Sequence, residues 1–280
     1  MSGSTGLQRV ESIAIGAFDG MHVGHRELLR RADAVVVIEK GDAILTPGRY
    51  RCEFADKPCY FFELEKIRHM DADAFVQLLK KSFPDLKKIV VGYDFAFGKD
   101  RKYGIDDLRR HFDGVVEVVP EVKIDGISVH SRTIKDFLRR GDIAMANKLL
   151  GRCYMIEGEV VRGQGLGKKE LVPTINLVTG KFLLPKEGVY ATLTQIKSSL
   201  YPSVSFIGHR VTTDGSFAVE THIIDAKPPQ AQRVRIYFID FLRENRKFAT
   251  LDALKTAIER DIQKAKERAK ACLENSCCFA

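Results

Sequence analysis

GAFDGMHVGH, from Gly16 to His25, decides how the chain is read. Three glycines, one aspartate and two histidines fall within ten residues. VESIAI before it reads as a strand, and RELLRRA after it reads as a helix. Gly16 and Gly20 let the backbone turn sharply and approach a ligand closely. The N-terminus of the following helix offers unpaired N–H groups and a positive dipole end to a phosphate. His22 and His25 stand three apart, so a helical first turn puts them on one face. Both can then donate to one oxyanion. Metal ligation would need a third ligand, and H-E-x-x-H is absent. A glycine turn followed by solvated histidines accounts for either histidine alone, but phosphate binding accounts better for the whole string.

Working outward, the first half alternates strand and helix. ESIAIG, AVVVI (34–38), KKIVVG (87–92) and GVVEVVP (114–120) read as strands. HRELLRRA, DADAFVQLLKKSF and GIDDLRRHF read as helices between them. This order predicts a parallel sheet with helices on both faces and ligands beyond the C-terminal strand ends. TIKDFLRRG and DIAMANKLLG close this half as two short helices. Then strands dominate: CYMIEGEVV, GVYATLTQI, YPSVSFIG, FAVETHIID and RVRIYFIDF. Strands without intervening helices predict an antiparallel barrel. A last helix, from about Leu251 to Leu273, carries an apolar stripe of Leu254, Ile258, Ile262, Ala265 and Ala269. The change of rhythm predicts two domains, 1–150 and 151–280.

The bulk numbers agree. With 280 residues, 45% hydrophobic and 29% charged, the chain has an ordinary globular composition. No apolar run approaches a membrane span, and MSGSTGLQRV has no signal core, so a cytoplasmic protein is expected. The six cysteines form no C-x-x-C pair, and reduced thiols are expected. A net charge of +8 favours anionic partners. The basic residues form no single stripe, which suits local phosphate sites rather than a nucleic-acid face.

RGQGLGKKELVPTINL (162–177) is a second glycine-rich stretch, with Gly163, Gly165 and Gly167. It is no Walker A loop, because no Ser or Thr follows the lysine. Alone it is a flexible connection. Its continuation, Pro173-Thr174-x-Asn176, adds a hydroxyl and an amide oxygen, both suited to Mg²⁺. In FAVETHIID (217–225), Glu220 and His222 share one face of a strand.

Taken together, G-x-F-D-G-x-H-x-G-H, VGYDFAFGKDRKYG (91–104) and P-T-x-N resemble the bacterial bifunctional riboflavin kinase/FAD synthetases. LLPKEGVYAT (183–192), FIGHRVTTDG (206–215) and FLRENRKFATLDALKTAIERD (241–261) also resemble the kinase half. The resemblance covers nearly the whole chain and fades at about 39–70 and in the C-terminal tail. It implies a Rossmann-like nucleotidyltransferase domain followed by a riboflavin kinase barrel. The first would join FMN to the adenylyl group of ATP, giving FAD and pyrophosphate; the second would phosphorylate riboflavin to FMN. His22, His25 and Glu220 are the implied catalytic residues. Gly16, Phe18, Asp19, Gly20, Gly24, Ser131 and Lys135 would bind ATP in the first half, and Gly163, Gly165 and Gly167 in the second. Asp94, Arg243 and Phe248 would meet flavin, and Thr174 and Asn176 the metal. The implied partners are riboflavin, FMN, FAD, ATP and Mg²⁺, with no nucleic acid and no membrane. Two features depart from the family. HSRTIK (130–135) stands where the family has a serine-serine-threonine-x-isoleucine-arginine run, so Lys135 replaces an arginine. VVVIEKGDAIL replaces a proline-histidine-proline element. They leave open an alternative, a riboflavin kinase with a weakened or inactive adenylyltransferase module.

Overall fold

The computed structural model describes residues 9–42, 44–161, 172–210 and 215–275. The chain divides into two compact units, residues 1–130 and 131–280. Packing therefore divides it earlier than the change of rhythm does.

The first unit holds a parallel five-stranded sheet in the order β3-β2-β1-β4-β5. Its strands are β1 (Ser12–Gly16), β2 (Ala34–Glu39), β3 (Cys59–Glu63), β4 (Lys88–Gly92) and β5 (Val115–Val119). The central strands are continuous apolar runs because both faces are covered. Ile13, Ile15, Ala34, Val36, Ile89 and Val91 face one way, onto Phe75, Val76 and Leu79 of α4 (Ala72–Ser82) and Leu108 of α5 (Ile105–His111). Ala14, Val35, Val37 and Val90 face the other, onto Leu28 and Leu29 of α1 (Val23–Leu29) and Ala55 of α2 (Tyr50–Ala55). A short α3 (Leu64–Ile67) follows β3, and a small hairpin of β6 (Lys123–Ile124) and β7 (Ile127–Ser128) ends the unit. The edge strand β3 was not among the expected strands.

The second unit starts with α6 (Ser131–Arg140) and α7 (Ile143–Leu150). α7 belongs here for a visible reason. The Asn147 side chain donates to Phe238 O (2.8 Å) and accepts from Tyr154 N–H (2.7 Å), both on barrel strands. The barrel is closed in the order β10-β11-β12-β9-β8-β13. These are β8 (Tyr154–Val161), β9 (Ile175–Thr179), β10 (Gly188–Ile196), β11 (Ser199–His209), β12 (Phe217–Ile223) and β13 (Arg233–Arg243). The expected α/β sheet followed by an antiparallel barrel is thus observed.

Inside the barrel the core is partly hydroxylic. Thr192, Thr194, Ser203, Ser205 and Thr221 are fully buried. They close a ring of hydroxyl contacts: 192 to 203 (2.8 Å), 203 to 194 (2.8 Å), 194 to 221 (3.0 Å), 221 to 205 (3.0 Å) and 205 to 192 (2.8 Å). A hydroxyl both donates and accepts, so such a ring satisfies its members internally. The alternate residues Ala191 and Val204 point outward, onto Ala265 and Ile262 of α8 (Leu251–Glu274). The buried line of α8 is Ala257, Asp261, Ala265, Ala269 and Cys272. The expected stripe was off-centre: Leu254, Ile258 and Ile262 flank it half-buried. Small residues let the helix approach closely, and one of them is replaced by an aspartate. Cys52 and Cys59 are thiols, as expected, but Cys153 is disulfide-bonded.

Candidate functional site

β1 lies between β2 and β4, so the strand order reverses at its C-terminal end. In open α/β sheets that point forms a crevice for ligands. The glycine-histidine loop starts there. Phe18 (φ +54°) and Met21 (φ +41°) hold left-handed backbone although neither is glycine, and Gly20 (φ +93°) completes the turn. Packing holds this strain in place: Phe18 and Met21 are fully buried. A Cβ on Gly16 would come within 3.3 Å of the Phe18 ring.

Asp19 is buried and works on its own chain. Its Oδ1 accepts from the N–H groups of Leu45 (2.9 Å) and Thr46 (3.1 Å), while Gly20 N–H donates to Thr46 Oγ1 (2.8 Å). A buried guanidinium adds a second anchor. Arg51 donates to Ala17 O (3.0 Å) and Gly48 O (3.1 Å) and pairs with Glu39. Sequence reasoning missed Thr46 and Arg51, which lie in the stretch where the resemblance fades.

His22 caps α1. Its Nδ1 accepts from His25 N–H at 3.3 Å, which leaves Nε2 to carry the proton of the neutral ring. The two rings share a face, as expected, by stacking at 3.5 Å between centroids. Phe18 meets His25 edge-on at 5.1 Å. Gly24 makes room for the stack, since a Cβ there would lie 3.3 Å from the His22 ring. Asp94 follows β4, which runs parallel to β1, so it emerges at the same sheet end as Gly16. It is exposed, and its carbonyl accepts from Arg101 Nη2 (3.0 Å). The Tyr93 hydroxyl beside it lies 3.0 Å from His130 Nε2 and 3.2 Å from Glu121 Oε1. Ser131 and Lys135 lie on α6, in the second unit.

The second unit brings Glu220 and Asn176 together. They are direct register partners across β12 and β9. Thr221 between Glu220 and His222 turns into the hydroxyl ring, so Glu220 and His222 face outward together. His222 Nδ1 donates to Pro173 O (2.8 Å), which fixes the backbone just before Thr174. Thr174 itself is exposed.

Arg210, missed from sequence, ties this cluster together. Its Nε donates to Glu220 Oε1 (2.9 Å), and Nη2 reaches the same oxygen. Nη2 also donates to Asn176 Oδ1 (2.7 Å), and Nη1 to Ser216 Oγ (2.7 Å). Arg243 stands 5.4 Å over the Phe248 ring, as a guanidinium-aromatic pair. It is held there by buried Asp261, with Nη2 2.8 Å from Oδ2. Arg246 approaches the same ring at 4.9 Å. Gly163, Gly165 and Gly167 lie outside the described residues.

The described residues hold no cluster of three or more His, Cys, Asp or Glu side chains able to bind a metal. The available donors are neutral oxygens of Thr174 and Asn176. These suit a hard ion that keeps several waters and is shared with phosphates, which is how Mg²⁺ is commonly bound. Asn176 Oδ1 already accepts from a cation.

Comparison with known proteins gives one family match in each half of the chain. A riboflavin kinase family model matches residues 150–269, and an FAD synthetase family model matches 57–133. The bifunctional riboflavin kinase/FMN adenylyltransferase of Pseudomonas fluorescens is 32% identical, over 90% of this chain and 91% of its own. The protein of the same name from Haemophilus influenzae is 29% identical, over 91% of this chain and 93% of its own. A crystal structure described as a macrolide-efflux protein from Streptococcus pneumoniae superposes with a TM-score of 0.82 at 26% identity, covering 93% of this chain and 95% of that one. Among the described residues of this chain, no helix is long and apolar enough to cross a membrane.

Proposed function

The chain belongs to the bifunctional riboflavin kinase/FMN adenylyltransferase family, and we propose that it phosphorylates riboflavin to FMN and then adenylylates FMN to FAD. Residues 151–280 carry the first reaction and residues 1–150 the second. The observation that carries the kinase reading is Glu220 in register with Asn176, just beyond Thr174.

Glu220 accepts the proton of the riboflavin 5′-hydroxyl as that oxygen attacks the γ-phosphorus of ATP, and ADP leaves. Thr174 and Asn176 would hold Mg²⁺, which would neutralise phosphate charge. Arg243 and Phe248 flank the flavin, and Gly163, Gly165 and Gly167 close over the ATP phosphates. In the first half an FMN phosphate oxygen attacks the α-phosphorus of ATP, and the bond to pyrophosphate breaks. This step needs alignment and charge stabilisation more than a covalent nucleophile. The strained backbone of Phe18 to Met21, with Gly16, Asp19 and Gly24 shaping it, supports nucleotide binding at the strand end. His22 Nε2 and His25 donate to the phosphate where charge develops; Ser131 and Lys135 contribute to ATP binding, and Asp94 lies toward the flavin. Both reactions draw on ATP, which fits a cytoplasmic enzyme.

Lys135 favours a second reading, in which adenylyl transfer is weak. Lysine keeps the charge but loses the planar fork that grips phosphate oxygens. Incubation with riboflavin, ATP and Mg²⁺ followed by chromatography separates the readings. FAD is the expected product. Accumulation of FMN without FAD would favour the second reading, and no FMN at all would overturn both.

A further inference from the structure

We propose that Arg210 is a positioning residue that occupies the cation's place at Asn176 until the metal-bound nucleotide arrives. The inference rests on the kinase reading above. Its basis is the way one guanidinium is shared. Nη2 serves both Glu220 Oε1 and Asn176 Oδ1, whereas Nε serves Glu220 and Nη1 serves Ser216. Arg210 and Glu220 are both mostly buried, with side chains 20% and 19% exposed. A carboxylate that far from water needs a counter-charge.

The arrangement divides the guanidinium's contacts by role. The Nε–Glu220 and Nη1–Ser216 bonds hold Arg210 at its own end of the cluster. The Nη2–Asn176 bond lies on the one atom that both cations would use. A divalent ion entering at Asn176 displaces that single bond and leaves Glu220 with Nε and Nη2. Glu220 is thereby held in one orientation before and after the metal arrives. A guanidinium cannot be deprotonated in a protein, so displacement is the route by which Asn176 is released.

This gives a result that a merely structural arginine would not. Removing the guanidinium takes away the competitor at Asn176 and leaves the Glu220 charge uncompensated, and both effects favour a divalent cation. Arg210→Gln should therefore tighten metal-dependent nucleotide binding while slowing turnover. The test is calorimetric titration of the full chain with a non-hydrolysable ATP analogue over a series of Mg²⁺ concentrations. Asn176→Ala serves as the control that identifies the kinase site. Loss of a charge-assisted competing bond should lower the Mg²⁺ concentration for half-maximal binding about tenfold. In kinase assays the KM for Mg²⁺ should fall together with kcat. Arg210→Lys keeps the charge but not the fork, and should lie between the two; it also decides the question if Arg210→Gln does not melt cooperatively. Unchanged or weaker metal dependence in the Arg210 variants, with wild type responding to Mg²⁺ and to Asn176→Ala, would overturn this proposal alone. Wild-type binding indifferent to Mg²⁺ would overturn the kinase reading and this proposal with it.

Discussion

In the first unit the motif turns its side chains inward. Phe18 and Met21 are buried, Asp19 holds the backbone of residues 45 and 46, and His22 caps its own helix. A ligand there would meet backbone and stacked imidazoles. In the barrel the arrangement is reversed. Hydroxyls fill part of the interior, and Glu220 and His222 point out from the alternate positions of the same strand. A ligand there would meet side chains set by strand register. Substitutions in the first motif should therefore act through loop shape as well as chemistry. Substitution of Glu220, on the outer face away from the packed helix residues, should act mainly on chemistry.

The sharpest form of that contrast is Glu220→Gln. Glutamine keeps the shape and an acceptor oxygen for Arg210 but is no useful base. FMN formation should fall by about 10²–10⁴-fold, with little change in melting temperature. Conversion of supplied FMN to FAD should continue. Kinase turnover near wild type would remove Glu220 from the mechanism.

Next comes the question of where each half ends. A fragment of residues 131–280 keeps α6 and α7, whereas one starting at Lys148 cuts α7 and discards Asn147. The shorter fragment loses both Asn147 bonds and the buried side chains of Ile134, Leu138, Ile143 and Ala146. Two hydrogen bonds and three buried Ile or Leu side chains are together worth roughly 8 kcal/mol. Fragment 131–280 should therefore melt cooperatively and phosphorylate riboflavin without making FAD, and the shorter one should melt far lower. Equal denaturant midpoints would show that α6 and α7 contribute nothing to the barrel. A folded 131–280 fragment with no kinase activity would sink the division of labour.

His22→Ala and His25→Ala test the loop. Loss of a transition-state donor typically costs about 100-fold or more, so FAD formation should drop while FMN formation holds. His22→Ala should also destabilise the unit by about 1 kcal/mol, because the helix cap goes with it. Normal FAD synthesis from either variant would make that histidine structural.

These variants also mark what could be read in advance. The central strands were legible because burial on both faces writes long apolar runs, as in AVVVI. Asn176 was legible as a candidate because the short P-T-x-N motif carries it, and Glu220 because FAVETHIID reads as a strand with an outward carboxylate. β3 was not, because CYFFE is a half-exposed edge strand leading straight into LEKI, with no turn residue between. Arg210 and Arg51 were not, because a buried arginine has no period: its partners Asn176 and Ala17 lie 34 residues away in each case. Asp261 was hidden inside a helix stripe otherwise built of small residues. The α7 boundary was hidden because buried Ile143, Ala146, Leu149 and Leu150 read alike for either unit, and only the Asn147 bonds show the barrel as a partner.

A smaller effect tests the hydroxyl ring. Thr221→Val keeps the shape but takes a partner from both Thr194 and Ser205. A buried hydroxyl deprived of a partner costs about 1–3 kcal/mol, measured by urea unfolding. Thr221→Val combined with Ser205→Ala should cost less than the sum of the two, because the double variant leaves fewer stranded groups. Strict additivity would mean that the hydroxyls do not act as a ring.

The smallest expected effect belongs to Asp33, at the other extreme of the comparison. Its Oδ2 accepts from the N–H groups of Glu11 (3.1 Å) and Ser12 (2.9 Å), and its own N–H donates to Ser12 Oγ (2.9 Å). The clasp joins the starts of β1 and β2. Burial pushes the Asp33 carboxyl up, but the hydrogen bonds from Ser12 and the two backbone N–H groups, with Lys57 nearby, hold it below the ordinary carboxylate value. A carboxyl lowered by folding stabilises above its unfolded value, near ~4, and that contribution fades as pH falls through the folded value. The amides of Ser12 and Ile13 should therefore open more readily in hydrogen exchange between about pH 5 and pH 3 in wild type. Asp33→Asn cannot titrate, so its opening free energy should be lower at pH 5 and flatter across the window. Thr221→Val should keep the wild-type slope, because the barrel ring has no group that titrates there. Parallel profiles for wild type and Asp33→Asn would show that the clasp carries no proton-linked stability, and the two units would then not differ in this respect.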